Sequence, residues 1–556
     1  MAVSGASPLA EPPRRRWLRD AIGGMGLATG AVAGCATTQP PNPTRGPVPI
    51  HPSPRGEAIV APGGVDPSGL PEWRAPGDPF VLGVASGLPR ADGVTLWTRL
   101  APSPMAEDGG VGARALRVRW AVWEEGGGEP IRSGIAAAEP DWAHTVRVTL
   151  DGLAPGRAFR YRFASGDATS TTGRFRTAPP AGGGDRLRLV FASCQQYEQG
   201  HFAAWRHAVA HDPDLIVFLG DYIYESSWGR SHVRKHDPGV PTTLAAYRRR
   251  HALYRSDPDL QSAHAVCAWV PTWDDHEVDN DYAAERSQRG ASPEVFLARR
   301  QAAYRAYFEH LPLPWSMAPK GPSMRLYGHV DWGAVARIHV LDDRQYRSPQ
   351  ACSPPGFAGS RIVGPECVER LDPARTLLGA EQEAWFSRSV HEARARWNLV
   401  AQQTLMGRAD VRAGPEQGFW TDGWDGYPRA RQRLLAALRD ARATNPIALG
   451  GDVHAFYAGE LHEDFDRPGE RAAMLEFVGV SITSQGPSQA RIDTVLAENP
   501  HQRWGSGRAR GFGLLELDAR VARVSMRGLD DVTDRRSGCR TLHTFEVREG
   551  SGRLDG

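Results

Sequence analysis

The sequence carries almost no net charge, very little lysine, and no apolar run long enough to cross a membrane. Its formal charge over 556 residues is +2. Residues 1–35 hold Arg14, Arg15, Arg16 and Arg19 against Glu11 and Asp20, which leaves the remainder neutral. That argues against a nucleic-acid partner or a polybasic membrane surface, since both need a concentrated positive field. Lys235 and Lys320 are the two lysines. Arginine suits phosphate geometry, but a GC-rich genome gives the same bias, so nothing functional is read from it. The mild apolar stretch 21–34 would rise only about 21 Å as a helix, short of a bilayer span. Composition is otherwise ordinary for a soluble globular chain, 41% apolar and 23% charged, and the length allows more than one domain.

That short apolar stretch belongs to an address. Arg14-Arg15-Arg16-Trp17-Leu18-Arg19 has the twin-arginine pattern, with two arginines ahead of a bulky apolar pair. Val32-Ala33-Gly34-Cys35 reads as a lipobox, with Cys35 lipidated after cleavage; an ordinary alanine-type cleavage site beside an incidental cysteine is the alternative. Twin-arginine export carries folded proteins, which matters when a cofactor must be loaded before crossing. The expected partners here are that export machinery and a lipid anchor. The expected location is the periplasm or the membrane surface of a bacterium.

Five cysteines follow Cys35. Cys352 and Cys367 lie in a loop rich in Pro and Gly and are able to pair, which an exported protein permits. Cys267 sits in an apolar run that suggests plain burial, and Cys539 gives no cue. The odd number leaves one cysteine with another task, and Cys194, at a strand end, is the candidate.

Residues 36–77 are rich in Pro, Gly, Thr and Ser and read as a flexible tether. Over 78–180 short alternating segments recur, at 80–86, 94–100, 116–123, 144–150 and 159–163. In the fourth, Val146, Val148 and Leu150 share one face and Thr145, Arg147 and Thr149 the other. The segment Leu153-Ala154-Pro155-Gly156 resembles the corner of fibronectin-type sandwiches. A small all-β fibronectin/Ig-like sandwich is expected there. Over 186–547 apolar runs of strand type (187–192, 215–219, 334–341, 399–402, 447–449, 475–480) alternate with helical stretches (201–211, 244–255, 295–310, 380–397, 429–442). This implies layered α/β packing, in which ligands gather beyond the carboxyl ends of strands. No internal repeat is visible.

Four motifs sit at such ends. Asp221 follows Ile216-Val217-Phe218-Leu219 and a glycine, and Tyr224 lies three residues on; a phenolate suits ferric iron. Trp273-Asp274-Asp275-His276-Glu277 puts four ionisable groups in a row, costly to bury unless something positive neutralises them. Asp279, Asn280 and Asp281 extend the oxygen supply. In Gly450-Gly451-Asp452-Val453-His454 the alternation sends Asp452 and His454 to one face. Cys194 would add a thiolate that a metal holds deprotonated. Several such edges converging on one cluster is how metal-dependent phosphoester hydrolases are built.

From about residue 78 to 545 the chain resembles the PhoD-type alkaline phosphatases, exported enzymes related to phospholipase D of streptomycetes and, more distantly, to purple acid phosphatases. The matching segments are FASCQQYEQGHF, DLIVFLGDYIYE, TWDDHEVDNDY, LDDRQYRSP, GYPRARQRLL, LGGDVHAFYAGEL and EFVGVSITSQG. The resemblance implies a layered metallophosphatase-type α/β sandwich behind the small all-β domain. It also implies one Fe3+ with Ca2+, two calcium ions being expected. Cys194, Tyr224 and His454 would bind iron, with Asp221 bridging; Asp452, Asp275 and Asn280 would hold calcium. His276 would protonate the leaving oxygen or grip the phosphate. Glu225 would orient it, and Arg344 would contact phosphate or form a structural salt bridge. The implied activity is hydrolysis of small phosphomonoesters, and of some diesters, by a metal-activated hydroxide. A dedicated phosphodiesterase or phospholipase D is the alternative, and an inactive cell-surface binding protein a remote one. A monomer is expected. Gly87-Leu88-Pro89 stands where the family often has Gly-Asp-Pro.

Overall fold

The computed structural model describes residues 64–554 apart from Pro238 and residues 468–470. The twin-arginine pattern, Cys35 and the first part of the tether lie outside the described residues. Two sheets face each other across a shared core. The first has nine strands, in the order Cys539–Arg548, Val521–Leu529, Gly511–Leu517, Leu187–Ala192, Leu215–Leu219, Ala268–Thr272, Val84–Gly87, Val94–Arg99, Thr145–Leu150. The second has seven, in the order Gly328–Trp332, Ala336–Val340, Trp397–Ala401, Pro446–Gly450, Met474–Val478, Phe456–Leu461, Gln502–Ser506.

Side-chain alternation builds the layers. On the Trp397–Ala401 and Pro446–Gly450 strands, Leu399, Ala401, Ile447 and Leu449 join Leu189, Phe191 and Val217 between the sheets. Val400 and Ala448 point the other way, onto Trp385, Phe386, Leu434 and Leu435 of helices Gly379–Glu392 and Pro428–Asp440. Each strand is buried on both faces, which is why these segments read as unbroken apolar runs. The helix expected over 380–397 stops at Glu392, because Trp397 already begins a central strand. Helices Pro258–Val266 and Gln489–Glu498 were not foreseen.

The N-terminal all-β region forms, but it shares a sheet with the rest of the chain. Its strands Leu116–Glu124, Arg132–Ala138, Ala158–Ser165, Ala168–Thr169 and Gly173–Arg176 make a separate sheet. Val84–Gly87, Val94–Arg99 and Thr145–Leu150 instead continue the nine-stranded sheet, with Ser86 and Gly87 in parallel register with Ala268 and Trp269. The polar face of Thr145–Leu150 is therefore not solvated. Thr145 Oγ1 donates to the Glu309 carbonyl at 3.0 Å, and Arg147 Nε to the Leu313 carbonyl at 3.1 Å. Both acceptors lie at the end of helix Pro293–His310. The tether also stops short of residue 77. Trp73 is buried, its N–H donates to Ser165 Oγ at 2.9 Å, and Glu72 pairs with Arg117 and Arg119.

Among the described residues no helix is long and apolar enough to cross a membrane. Cys352 and Cys367 form a disulfide with Cα atoms 6.2 Å apart, while Cys194 and Cys267 are buried free thiols. A fragment starting at residue 186 would leave Ala268–Thr272 as an open edge strand. We expect it to be insoluble or to lack a cooperative melting transition. A soluble fragment with a sharp transition would mean that the shared sheet is dispensable.

Candidate metal centre

Seven parallel strand ends point their carboxyl termini at one place. Leu187–Ala192 leads to Cys194, Leu215–Leu219 to Asp221 and Tyr224, and Ala268–Thr272 to Asp274 through Glu277. From the second sheet, Ala336–Val340 leads to Arg344, Trp397–Ala401 to Gln403, Pro446–Gly450 to Asp452 and His454, and Met474–Val478 to Ser484. Gln403 joins the two sheets, its amide donating to Thr272 Oγ1, the Trp273 carbonyl and the Leu341 carbonyl at 2.8–2.9 Å.

The turns after these strands are tight. Cys194, Asp221, Asp452 and His454 all have left-handed backbones, with φ of 57°, 57°, 62° and 52°. Each such non-glycine residue costs on the order of 1–3 kcal/mol, and strain of this kind gathers at functional sites. Gly220, at φ 105°, allows the approach of the neighbouring loop, because a Cβ there would fall 2.5 Å from Asp274 Cβ.

The first ligand group joins sulfur, nitrogen and oxygen. One ligand atom each from Cys194, Asp221 and His454 lie within 4.8 Å of one another. Tyr224 Oη donates to Asp221 Oδ2 at 2.7 Å and stands 3.2 Å from His454 Nε2. Ser484 Oγ lies 2.8 Å from both the Cys194 carbonyl and Tyr224 Oη. The Trp228 ring stacks on His454. Burial, with Asp221 beside them, pushes the Cys194 thiol and the Tyr224 phenol well up. Burial and then Arg510 push His454 down to about 3.

The second group is Asp221, Asp275 and His276, again within 4.8 Å. Asp221 belongs to both groups, the geometry a bridging carboxylate requires. His276 Nδ1 is 2.6 Å from Glu225 Oε2, and the Asn280 amide donates to Glu225 Oε1 at 3.3 Å. Burial opposes a charge on His276, but Glu225, Asp275 and Asp221 outweigh it and hold its pKa well above the ordinary range. Asn280 lies on the same loop, half-buried, and joins neither group. Asp452 also stands outside the groups, yet its Oδ2 is buried without a hydrogen-bond partner. Burial and the neighbouring acids Asp274 and Asp275 push its pKa well up. A buried carboxylate oxygen left bare, in a cluster whose acids repel one another, fits a bound cation. The thiol–phenol–imidazole set and the oxygen-rich set suit a softer and a harder ion respectively.

Arg344 is buried among carboxylates. It is 1% exposed, its Nε pairs with Asp274 Oδ1, and its other nitrogens reach Asp422 at 2.7 Å and Asp275 at 3.8 Å. Nε and one terminal nitrogen are hydrogen-bonded to carboxylates, which orders the acidic loop. Asp274 gives one oxygen to Arg344 and leaves Oδ2 buried without a hydrogen-bond partner, while Asp275 lies beside Asp221. Two further residues were not singled out from the sequence. Ser484 sits in a matching segment but has no distinctive neighbours. Glu277 staples two ligand loops, its carboxylate accepting the amides of Asp221, Tyr222 and Asp274. Burial pushes its pKa up, and the backbone amides that bond both its oxygens pull the other way. Glu277→Ala should leave three buried amides without an acceptor and lose about 3 kcal/mol or more in urea unfolding. Glu277→Gln should recover only part of that, because one of the two accepting oxygens becomes an NH2 donor. Equal stability of all three proteins would sink the staple.

Comparison with known proteins agrees with this architecture. Residues 66–179 match the model of the PhoD-like phosphatase N-terminal domain, and residues 189–526 that of the PhoD-like phosphatase. Alkaline phosphatase D of Bacillus subtilis (strain 168) is 43% identical over 433 residues, covering 76% of this chain and 73% of the relative. A solved structure of PhoD superposes with a TM-score of 0.82 at 39% identity, covering 87% of this chain and 92% of that one. A purple acid phosphatase from yellow lupin (Lupinus luteus) seeds shares the fold, with a TM-score of 0.51 at 11% identity over 84% of this chain and 73% of that one. With both regions matched in order and the ligand-bearing strand ends inside the second, the chain belongs to the PhoD-like phosphatase family.

Proposed function

We propose that this phosphatase hydrolyses small phosphomonoesters, and some diesters, at the cluster of Cys194, Asp221, Tyr224, Asp275, Asp452 and His454. One Fe3+ would be held on the Cys194–Tyr224–His454 side and Ca2+ on the Asp275–Asp452 side, with Asn280 completing the oxygen set. The observation that carries this reading is Asp221, shared by two ligand groups of different chemistry. When bound, such ions supply the charge that brings a water near neutral pKa and offsets the transferring phosphoryl oxygens. The chain's own residues do the rest. Glu225 accepts a hydrogen bond from His276 Nδ1 and fixes the ring. That leaves Nε2 as the proton donor for the leaving oxygen. Asp221, common to the two ligand groups, would hold both ions, and Asp275 the second of them.

The test is turnover of matched aryl monoester and diester substrates, read together with metal content. Wild type should favour the monoester; a strong diester preference would move the assignment to a phosphodiesterase. Asp221→Asn should lose activity and both ions, because a bridging carboxylate loses charge and geometry. Cys194→Ser should deplete iron alone. Full turnover by Asp221→Asn would remove the bridging role, and unchanged iron in Cys194→Ser would leave that thiol structural.

We also propose export through the twin-arginine pathway, with Cys35 as the lipid-bearing residue. The run Arg14-Arg15-Arg16-Trp17-Leu18-Arg19 supports it, as does a disulfide suited to an oxidising compartment. Replacing Arg14, Arg15 and Arg16 by lysine should strand the precursor in the cytoplasm. Normal appearance of the mature protein outside would rule the pathway out.

A further inference from the structure

The Cys352–Cys367 disulfide lies outside the ligand groups, yet a short chain of hydrogen bonds runs from its loop to Asp275. The link is Asp281. Its backbone N–H donates to Asp275 Oδ2 at 2.6 Å, while the His276 N–H takes Asp275 Oδ1 at 3.0 Å. Each Asp275 oxygen is thus steered by one amide, and the His276 N–H also reaches Asp221 Oδ1 at 3.4 Å. Asp281 holds its amide in place from a left-handed backbone at φ 52°, a conformation that an aspartate keeps only when its surroundings fix it.

Those surroundings are the loop that the disulfide closes. Asp281 Oδ2 accepts the Ser360 N–H at 2.9 Å and the Gln288 amide at 3.1 Å. Its carbonyl accepts from Gln350 Nε2 at 2.9 Å. Gln350 in turn accepts the Gly359 N–H at 3.2 Å. Ser360 and Gly359 both lie between the cysteines, which are 15 positions apart, and Gln350 stands just before them. Cys367 is buried, and the Cys352 N–H is tied to Glu369, so both ends of the loop are anchored.

We propose that Asp281 is a positioning residue for the Asp275 ion position, and that the Cys352–Cys367 disulfide holds it there through the Gly359–Ser360 turn. This rests on reading Asp275 as a ligand. Without the cross-link the turn gains freedom in the native state, the Ser360 contact weakens, and Asp275 loses one of the two amides that set its rotamer. The Asp281 amide and its loop contacts do not reach the Cys194 side of the centre, which keeps its ion; the His276 N–H, shared with Asp221 Oδ1 at 3.4 Å, is left in place.

The test is Ca2+ binding by calorimetry on the full-length, iron-containing protein after chelator dialysis, with iron content measured on the same samples. The variants are Cys352→Ser/Cys367→Ser, Asp281→Ala, Asp281→Asn and Asp275→Asn. The double-serine and Asp281→Ala proteins should bind Ca2+ at least tenfold more weakly with unchanged iron and circular dichroism. Asp281→Asn should recover part of the affinity, since its side-chain oxygen still accepts the Ser360 N–H. Wild-type protein treated with dithiothreitol should behave as the double-serine variant. There the S–S bond opens to two thiols by two exchanges, the reagent closing to a cyclic disulfide, and reoxidation should restore affinity. Wild-type Ca2+ affinity in the double-serine and Asp281→Ala proteins would overturn the inference. So would a parallel loss of iron and Ca2+, which marks general damage. If Asp275→Asn itself binds Ca2+ normally, the ligand reading fails and takes the inference with it.

Discussion

The centre is governed by the repulsion among acids that the fold forces together without water. Asp221, Glu225, Asp274, Asp275 and Asp452 come from three strand ends and share one buried place. Two carboxylates ~4 Å apart repel by about 4 kcal/mol at an effective dielectric of about 20. The chain supplies two internal cations against this, Arg344 between Asp274 and Asp422 and His276 against Glu225. They offset only part of the charge on Asp221 and Asp452, whose pKa values burial drives well up. The uncovered part of the charge is the part that selects for ions. Every other local feature serves that crowding, from Gly220 at the closest approach of two loops to Glu277 stapling their backbones.

The N-terminal region takes part in this at one remove. Its Val84–Gly87 strand covers the edge of Ala268–Thr272, the strand that runs directly into Asp274 and Asp275. An unpaired edge there would be free to slip or to recruit another chain. Strands Val94–Arg99 and Thr145–Leu150 then brace the end of helix Pro293–His310, through the Trp97 indole and Thr145 hydroxyl on the Glu309 carbonyl. The region works as a buttress for the acidic loop and contributes no ligand of its own.

How much of this is legible in the sequence depends on how local each cause is. The strand-then-ligand motifs are legible because run, glycine and ligand are neighbours. The alternation expected for Asp452 and His454 is not what orients them, since the strand ends at Gly450 and both residues have left-handed backbones. Sheet continuity is not, because Ser86 finds Ala268 only through packing 182 positions away. Arg344 was ambiguous for a chemical reason, since an arginine that binds phosphate and one locked between aspartates look alike until their partners are known. Helix Pro258–Val266 has a readable start, Asp257 capping and Pro258 in the first turn. It is too short, however, to display a period. The Arg132–Ala138 strand, rich in Ala and Gly, lacks the alternation that marks its neighbours.

The separation of the ligands along the chain has a consequence in time. Tyr224 meets His454 across 230 residues, and Ser484 meets the Cys194 carbonyl across 290. At ~5–20 residues per second, ribosomal synthesis would place roughly 15–60 s between the first and last of these residues. The early acidic loops leave the ribosome long before the imidazole and the second sheet that complete their cage. No ion can be chosen by the finished geometry during that interval. Selection among metals therefore falls after translation, in whichever compartment the last strand docks.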